Sequence, residues 1–164
     1  PRYWTFLGPL PEGHGFSAEE IRAVAPVPGQ NRWSRAAWFG HDRIDLESHF
    51  GQISKQVVYG ATWFSMAESD SVRFWAGSDE ALTVWIDGEL VYDHEGRRSH
   101  ELGSDKLPGY LTAGEHLLLV RVHQGRGRFE FSFNICEPID DVLYAGNTHA
   151  GLRYYPDRAR PEEF

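Results

Sequence analysis

Residues 82–93 alternate in character. Leu82, Val84 and Ile86 fall on one side, with Thr83 and Trp85 on the other. After Asp87-Gly88, Leu90 and Tyr92 alternate with Val91 and Asp93. A period of two is the pattern of a half-buried strand. An Asp-Gly pair between two such runs predicts a hairpin, because a type I′ turn needs positive φ at both central residues. Just before it, residues 77–80 (GSDE) place two carboxylates in a loop.

The same pattern organises most of the chain. Residues 2–8 (RYWTFLG) alternate Tyr3, Thr5 and Leu7 with Trp4 and Phe6, and predict a first strand ended by Gly8-Pro9. Ser17 to Glu20 has the capping-box form S-x-x-E and predicts a short helix over 18–23, stopped by Pro26 and Pro28. Residues 31–39 (NRWSRAAWF) are ambiguous; a strand there would put Trp33 and Trp38 on opposite faces. Residues 41–51 read as a turn followed by a bend or short helix, with Ile44, Leu46 and Phe50 inward. From Gln56 onward the signal is all-β, with strands over 57–66 and 72–76 leading into the hairpin. Residues 106–111 carry Pro108-Gly109, which suits only an edge strand or a loop. Residues 117–123 (LLLVRVH) are the most apolar run and are expected to be central and buried. In residues 129–136, Phe129, Phe131, Phe133 and Ile135 face one way and Glu130, Ser132 and Asn134 the other, which predicts one core face and one wet face. Short strands at roughly 8–12-residue spacing between glycine-rich turns imply an all-β fold, an antiparallel β-sandwich with one short N-terminal helix. The expected division is a sandwich domain over residues 1–140 and an extended C-terminal segment or linker packing on it over 141–164.

Composition adds further constraints. The chain of 164 residues is of ordinary single-domain size. Its six Trp, seven Tyr and ten Phe exceed what one small core requires, which predicts aromatics on the surface. The formal net charge of −8 repels phosphate backbones, so nucleic acid is not an expected partner. No run of about 18 apolar residues is present, so no membrane insertion is expected. Cys136 is the only cysteine; it can form no internal disulfide and is expected to behave as a small buried hydrophobe. The chain starts at Pro1 with no visible leader, which suggests a domain taken from a longer or processed protein.

The candidate chemistry is of binding type. An outward Trp stacks on a sugar face while nearby polar side chains bond its hydroxyls. Trp33, Trp38 and Trp85 are the candidate platforms, and Asp93, His94, Arg97 and Arg98 the candidate polar partners. The plain alternative for Arg97-Arg98 is a solvated loop. Asp79 and Glu80 are adjacent carboxylates that suggest a hard-cation site for Ca²⁺, against the alternative of a solvated or self-capping turn. None of the eight His lies in an H-x-H or H-E-x-x-H arrangement, although His94 and His100 flank one loop and could converge. No G-x-S-x-G elbow occurs. Catalysis is therefore not expected.

Four phrases, in order, carry a resemblance: residues 4–9 (WTFLGP), 77–91 (GSDEALTVWIDGELV), 111–122 (LTAGEHLLLVRV) and 127–133 (GRFEFSF). Over residues 3–136 this order resembles the galactose-binding-like jelly rolls found beside catalytic domains in secreted bacterial glycoside hydrolases. More distantly it resembles the PA14 sandwiches, in which an Asp-Asp pair binds calcium and sugar hydroxyls; here the pair is Asp79-Glu80. Asp87 and His116 both stand where the first family usually has Asn. The resemblance implies a non-catalytic carbohydrate-binding module of a larger bacterial protein. Its partner would be a polysaccharide or oligosaccharide, with a neighbouring catalytic domain in the same chain, and its location secreted or periplasmic. The alternatives are a structural domain packing beside a catalytic one, and a metal-dependent enzyme.

Overall fold

The computed structural model describes residues 1–136. The expected C-terminal segment over 141–164 lies outside them. The chain runs β1 (Tyr3–Pro11), α1 (Ala18–Ala23), β2 (Ala37–Trp38), β3 (Ile44–Asp45), α2 (Leu46–Phe50), β4 (Gln56–Met66), β5 (Asp70–Ser78), β6 (Leu82–Ile86), β7 (Glu89–His94), β8 (Asp105–Leu111), β9 (Gly114–Gln124) and β10 (Glu130–Cys136). They form a six-stranded sheet, β2-β1-β4-β9-β6-β7, and a four-stranded sheet, β3-β10-β5-β8. The strand pairs are antiparallel, and the two sheets pack face to face as the sandwich that the alternation predicts.

The hairpin forms as expected. Asp87 and Gly88 have φ of 51° and 80°, the two positive values that a type I′ turn needs. β9 lies between β4 and β6, which makes the LLLVRVH run central. β8 is the edge of the smaller sheet, where the missing N–H of Pro108 breaks no ladder. At α1, Ser17 Oγ accepts the Glu20 N–H at 3.1 Å, while a Glu20 carboxylate oxygen accepts the Ser17 N–H at 2.7 Å, the reciprocal capping box. A second short helix, α2, is capped by Asp45, whose carboxylate accepts the Ser48 N–H at 3.2 Å. β1 does not end at Gly8-Pro9 but continues past a register shift between Leu7 and Leu10. A bulge of this kind lets a strand carry a residue that cannot donate. Residues 31–39 do not form one strand; only Ala37–Trp38 and an isolated bridge at Trp33 pair with β1.

Between the sheets lies an aromatic core. Trp4 meets Phe131 edge-on at 5.1 Å, and Phe74 stacks on Phe133 at 5.4 Å. A second apolar cluster sits on the outer face of the six-stranded sheet, where Leu7, Val57, Tyr59 and Leu119 are covered by Ile21, Trp33 and Phe16 from the 12–35 segment. Two apolar layers explain the aromatic content. Among the described residues the strongly exposed aromatics are Trp38 and Tyr110, at 56% and 64%.

One expected wet face is dry. Glu130, Ser132 and Asn134 on β10 are all buried, as are the residues that alternate with them. β10 is interior to its sheet, and the 97–104 loop folds over it: His100 Nε2 lies 2.8 Å from Ser132 Oγ, and a side chain at Gly77 would meet the Glu101 carbonyl at 2.1 Å. Cys136 shares this face, and burial pushes its thiol up to about 12.

Candidate functional site

The outer face of the six-stranded sheet is covered only in part. At β9 the Arg121 guanidinium staples the cover down: Nε and Nη2 donate to the His14 carbonyl at 3.1 and 3.0 Å, and Nη2 also reaches the Glu12 carbonyl at 3.3 Å. Beside this staple, at the Thr83 end of β6, the surface opens into a cleft. Register fixes what stands there. Thr83 of β6 lies opposite Asp93 of β7 on one side and Arg121 of β9 on the other. Because alternate residues share a face, this row points outward, away from the Leu82, Val84 and Ile86 core positions.

The row forms one wall of an open cleft of about 350 Å³, completed by Glu80, His94, Arg97 and His123. Most of its polar groups are held in place. Thr83 Oγ1 donates to Asp93 Oδ1 at 2.9 Å. Glu80 is buried, and its Oε1 accepts the Arg126 N–H at 3.1 Å. Its Oε2 lies 3.5 Å from His123 Nδ1, and Arg97 Nε stands 3.9 Å from Oε1. His123 Nε2 faces Glu12 Oε1 at 2.8 Å. The seat of Glu80 depends on Gly125, where a Cβ would lie 2.7 Å from Oε2. His94 Nε2 is buried with no hydrogen-bond partner among the described residues. The wall therefore sets guanidinium donors beside carboxylate acceptors, the mixed lining that a polyhydroxylated ligand needs.

Four of the residues singled out by sequence share this cleft: Glu80, Asp93, His94 and Arg97. The others are elsewhere. Arg98 is drawn into a clip between the sheets, donating to Asp105 Oδ2 at 2.9 Å and to the Tyr92 hydroxyl at 2.8 Å. Trp33 is buried in the outer apolar cluster, and Trp85 is half-buried against the same cluster. Trp38 is exposed beside Tyr3 on β2, the opposite edge of the sheet from β7. His94 and His100 do not converge: His100 lines a different cleft, with Arg2, His41 and Arg43. There, burial first and then the charges of Arg43 and Arg98 lower its pKa to about 4. The cleft also uses Thr83, Arg121 and His123, which pattern alone passed over. The polar character of Arg121 and His123 shows in LLLVRVH as a polar alternation inside an apolar strand, and that of Thr83 in the alternation of 82–86, but which cleft they reach does not.

In the Asp79-Glu80 pair, the Glu80 carboxylate is set among donors. Calcium takes about six to eight oxygens, whereas the Glu80 carboxylate already faces an N–H, an imidazole and a guanidinium. Burial and then the Glu80 charge raise the Asp79 pKa. Among the described residues no group of three or more His, Cys, Asp or Glu is placed to hold a metal.

No protein-family model matches the sequence, and no curated protein matches it. Solved structures do share the fold. A beta-glucosidase from Kluyveromyces marxianus in complex with glucose matches with a TM-score of 0.54 at 13% identity, over 86% of this chain and 17% of its own. An anti-sigma factor domain-containing protein matches with a TM-score of 0.52 at 13% identity, over 95% of this chain and 46% of its own. The PA14 domain of the MpAFP antifreeze protein gives a TM-score of 0.48 at 12% identity, over 94% of this chain and 85% of its own. At these identities the first two show a common fold only. The chain spans less than half the length of either.

Proposed function

We propose that this domain is a non-catalytic carbohydrate-binding unit of a larger protein and that it holds its saccharide in the Glu80–Asp93–Arg121 cleft. One observation carries the reading. Separate parts of the chain, the 79–81 loop, the β7 end and β9, deliver held donors and acceptors to one open, ligand-sized hollow. The likeness to a region within a beta-glucosidase solved with glucose supports a carbohydrate-associated setting. Binding is weak and polar in character, since the aromatic Trp33 and Trp85 do not line the hollow.

The test is a glycan array followed by calorimetric titration of the best hit. Asp93→Ala and Arg97→Ala should each weaken binding about tenfold, the value of one hydrogen bond to a charged group. Silence across neutral, amino and acidic glycans would refute the reading. A second reading, a domain that packs beside a catalytic partner, is favoured by the exposed Trp38 on a free sheet edge. It predicts that Trp38→Ala leaves glycan binding untouched but weakens association with that neighbour.

A further inference from the structure

The hairpin has a second end, and a second hollow lies there. β7 is the free edge of the larger sheet and β8 the free edge of the smaller one. Where they face each other, beside the Asp87-Gly88 turn, a groove of about 400 Å³ opens between the sheets. Its apolar lining includes Phe74, Val91, Leu111 and the exposed ring of Tyr110. Phe74 reaches the groove because residue 109 is glycine: a Cβ there would lie 2.4 Å from the Phe74 ring. The charged side chains at its rim are Asp87, Glu89 and His116.

The hydrogen-bonding capacity that the groove leaves to an occupant is one-sided. The ring nitrogens of His116 lie 2.6 Å from Asp87 Oδ2 and 2.7 Å from the Thr112 carbonyl, so neither is available to an occupant. Asp87 Oδ1 accepts the Leu117 N–H at 2.9 Å. Glu89 has a distant exposed ion pair with Arg22 at 3.9 Å, a contact of little strength. What remains is an aromatic and aliphatic floor under carboxylate acceptors. An occupant must therefore bring an apolar face on one side and hydrogen-bond donors on the other, and must not be an acid.

We propose that this groove is a second saccharide site, taking a neutral or amino-bearing pyranose whose ring face lies on Tyr110 and whose hydroxyl or ammonium donors meet Glu89 and Asp87. The volume is at the lower end of ligand pockets, roughly 300–1,000 Å³, which suits one or two sugar rings. The proposal rests on the carbohydrate reading above but on different residues, so the two can fail separately. It also places a stacking aromatic at a site where the polar cleft has none.

The experiment titrates the whole chain with β-1,4-linked tetrasaccharides of glucose, mannose, galactose and glucosamine, and with a galacturonate trimer, by calorimetry. Wild type is compared with Tyr110→Ala, Tyr110→Phe and Asp93→Ala. Tyr110 is exposed, so its variants fold, and thermal melts check this. The expected result is two binding events with one of the neutral or amino probes. Tyr110→Ala should weaken one of them about fivefold, within the range of one aromatic contact, while Tyr110→Phe keeps it and Asp93→Ala weakens only the other. The galacturonate trimer should not occupy the Tyr110 site. A single event that Asp93→Ala weakens and Tyr110→Ala leaves unchanged overturns this second site and leaves the first standing. Tight galacturonate binding lost in Tyr110→Ala, or self-association lost in Tyr110→Ala, also overturns it. No heat with any probe overturns both.

Discussion

Replacing Tyr92 by Phe removes one oxygen from the clip that joins the two sheets. Tyr92 is on β7 and Asp105 on β8, the free edges of different sheets. The Tyr92 hydroxyl donates to Asp105 Oδ2, and Arg98 donates to both, from Nη1 to Asp105 at 2.9 Å and from Nη2 to the hydroxyl at 2.8 Å. Hydrogen bonds to charged groups contribute about 1.5–3 kcal/mol. The Asp105 side chain is 38% exposed, so solvent screens part of this. A loss of about 1–2 kcal/mol follows, with little cavity cost because the ring stays. For a domain of this size each kcal/mol moves Tm by roughly 2–4 °C, so Tyr92→Phe should melt about 2–8 °C lower. The pH dependence is a sharper check. The hydrogen bond from Tyr92, first among the causes, holds the Asp105 carboxyl below its usual 3.8. Its stabilisation is therefore complete above that value and lost as pH falls through the lower folded pKa. Burial first, and then the bond to Asp105, push the Tyr92 phenol up from 10.0 to about 12. That contribution is present below the unfolded value and lost as pH rises through this window. Calorimetric melts should show a constant gap between wild type and variant at neutral pH that narrows at both extremes. A cycle with Asp105→Ala should return a coupling of about 1 kcal/mol. A variant melting within about 1 °C of wild type at pH 7, or a coupling near zero, would refute the clip as a stabilising unit.

Gly77→Ala should destabilise by about 3 kcal/mol, because its Cβ would stand 2.1 Å from the Glu101 carbonyl, a backbone atom that cannot swing aside as a side chain can; denaturant titration measures this, and a loss under about 1 kcal/mol would contradict the packing of that loop. His100 binds no proton in the fold until about pH 4, against 6.5 for a free imidazole, so it makes wild type lose stability as pH falls through that interval. His100→Gln should show a shallower decline of Tm between pH 7 and pH 5, and parallel profiles would show that the ring is not buried as described. Millimolar Ca²⁺ should leave Tm unchanged, since the Glu80 carboxylate is already engaged; a clear rise in Tm would show that the Asp79 loop rearranges to hold the ion.

The local rules were legible in the sequence. Alternation placed the strands, Asp87-Gly88 placed the hairpin, and S-x-x-E placed α1, because each depends on neighbours a few residues apart. The Glu80, Asp93, His94 and Arg97 gathering was half-legible: these residues flank one hairpin, so forming the hairpin brings its two open ends together. What lay on the partner strand was not. Arg121 and His123 reach the cleft only because β9 inserts between β4 and β6, a pairing across long sequence separations that no local pattern records. Side-chain fate followed the same divide. Arg97 and Arg98 are chemically alike and adjacent, yet one lines the cleft and the other closes the sandwich, since successive positions point in different directions. The aromatic content suggested surface platforms, but a second apolar layer absorbed Trp33 and much of Trp85. The polar face of β10 looked wet and is dry, because burial is decided by what folds over a strand and not by the strand itself. The hairpin and its alternation belong to the sequence; which of its two ends carries which chemistry was decided by the strands and loops that tertiary packing set beside it.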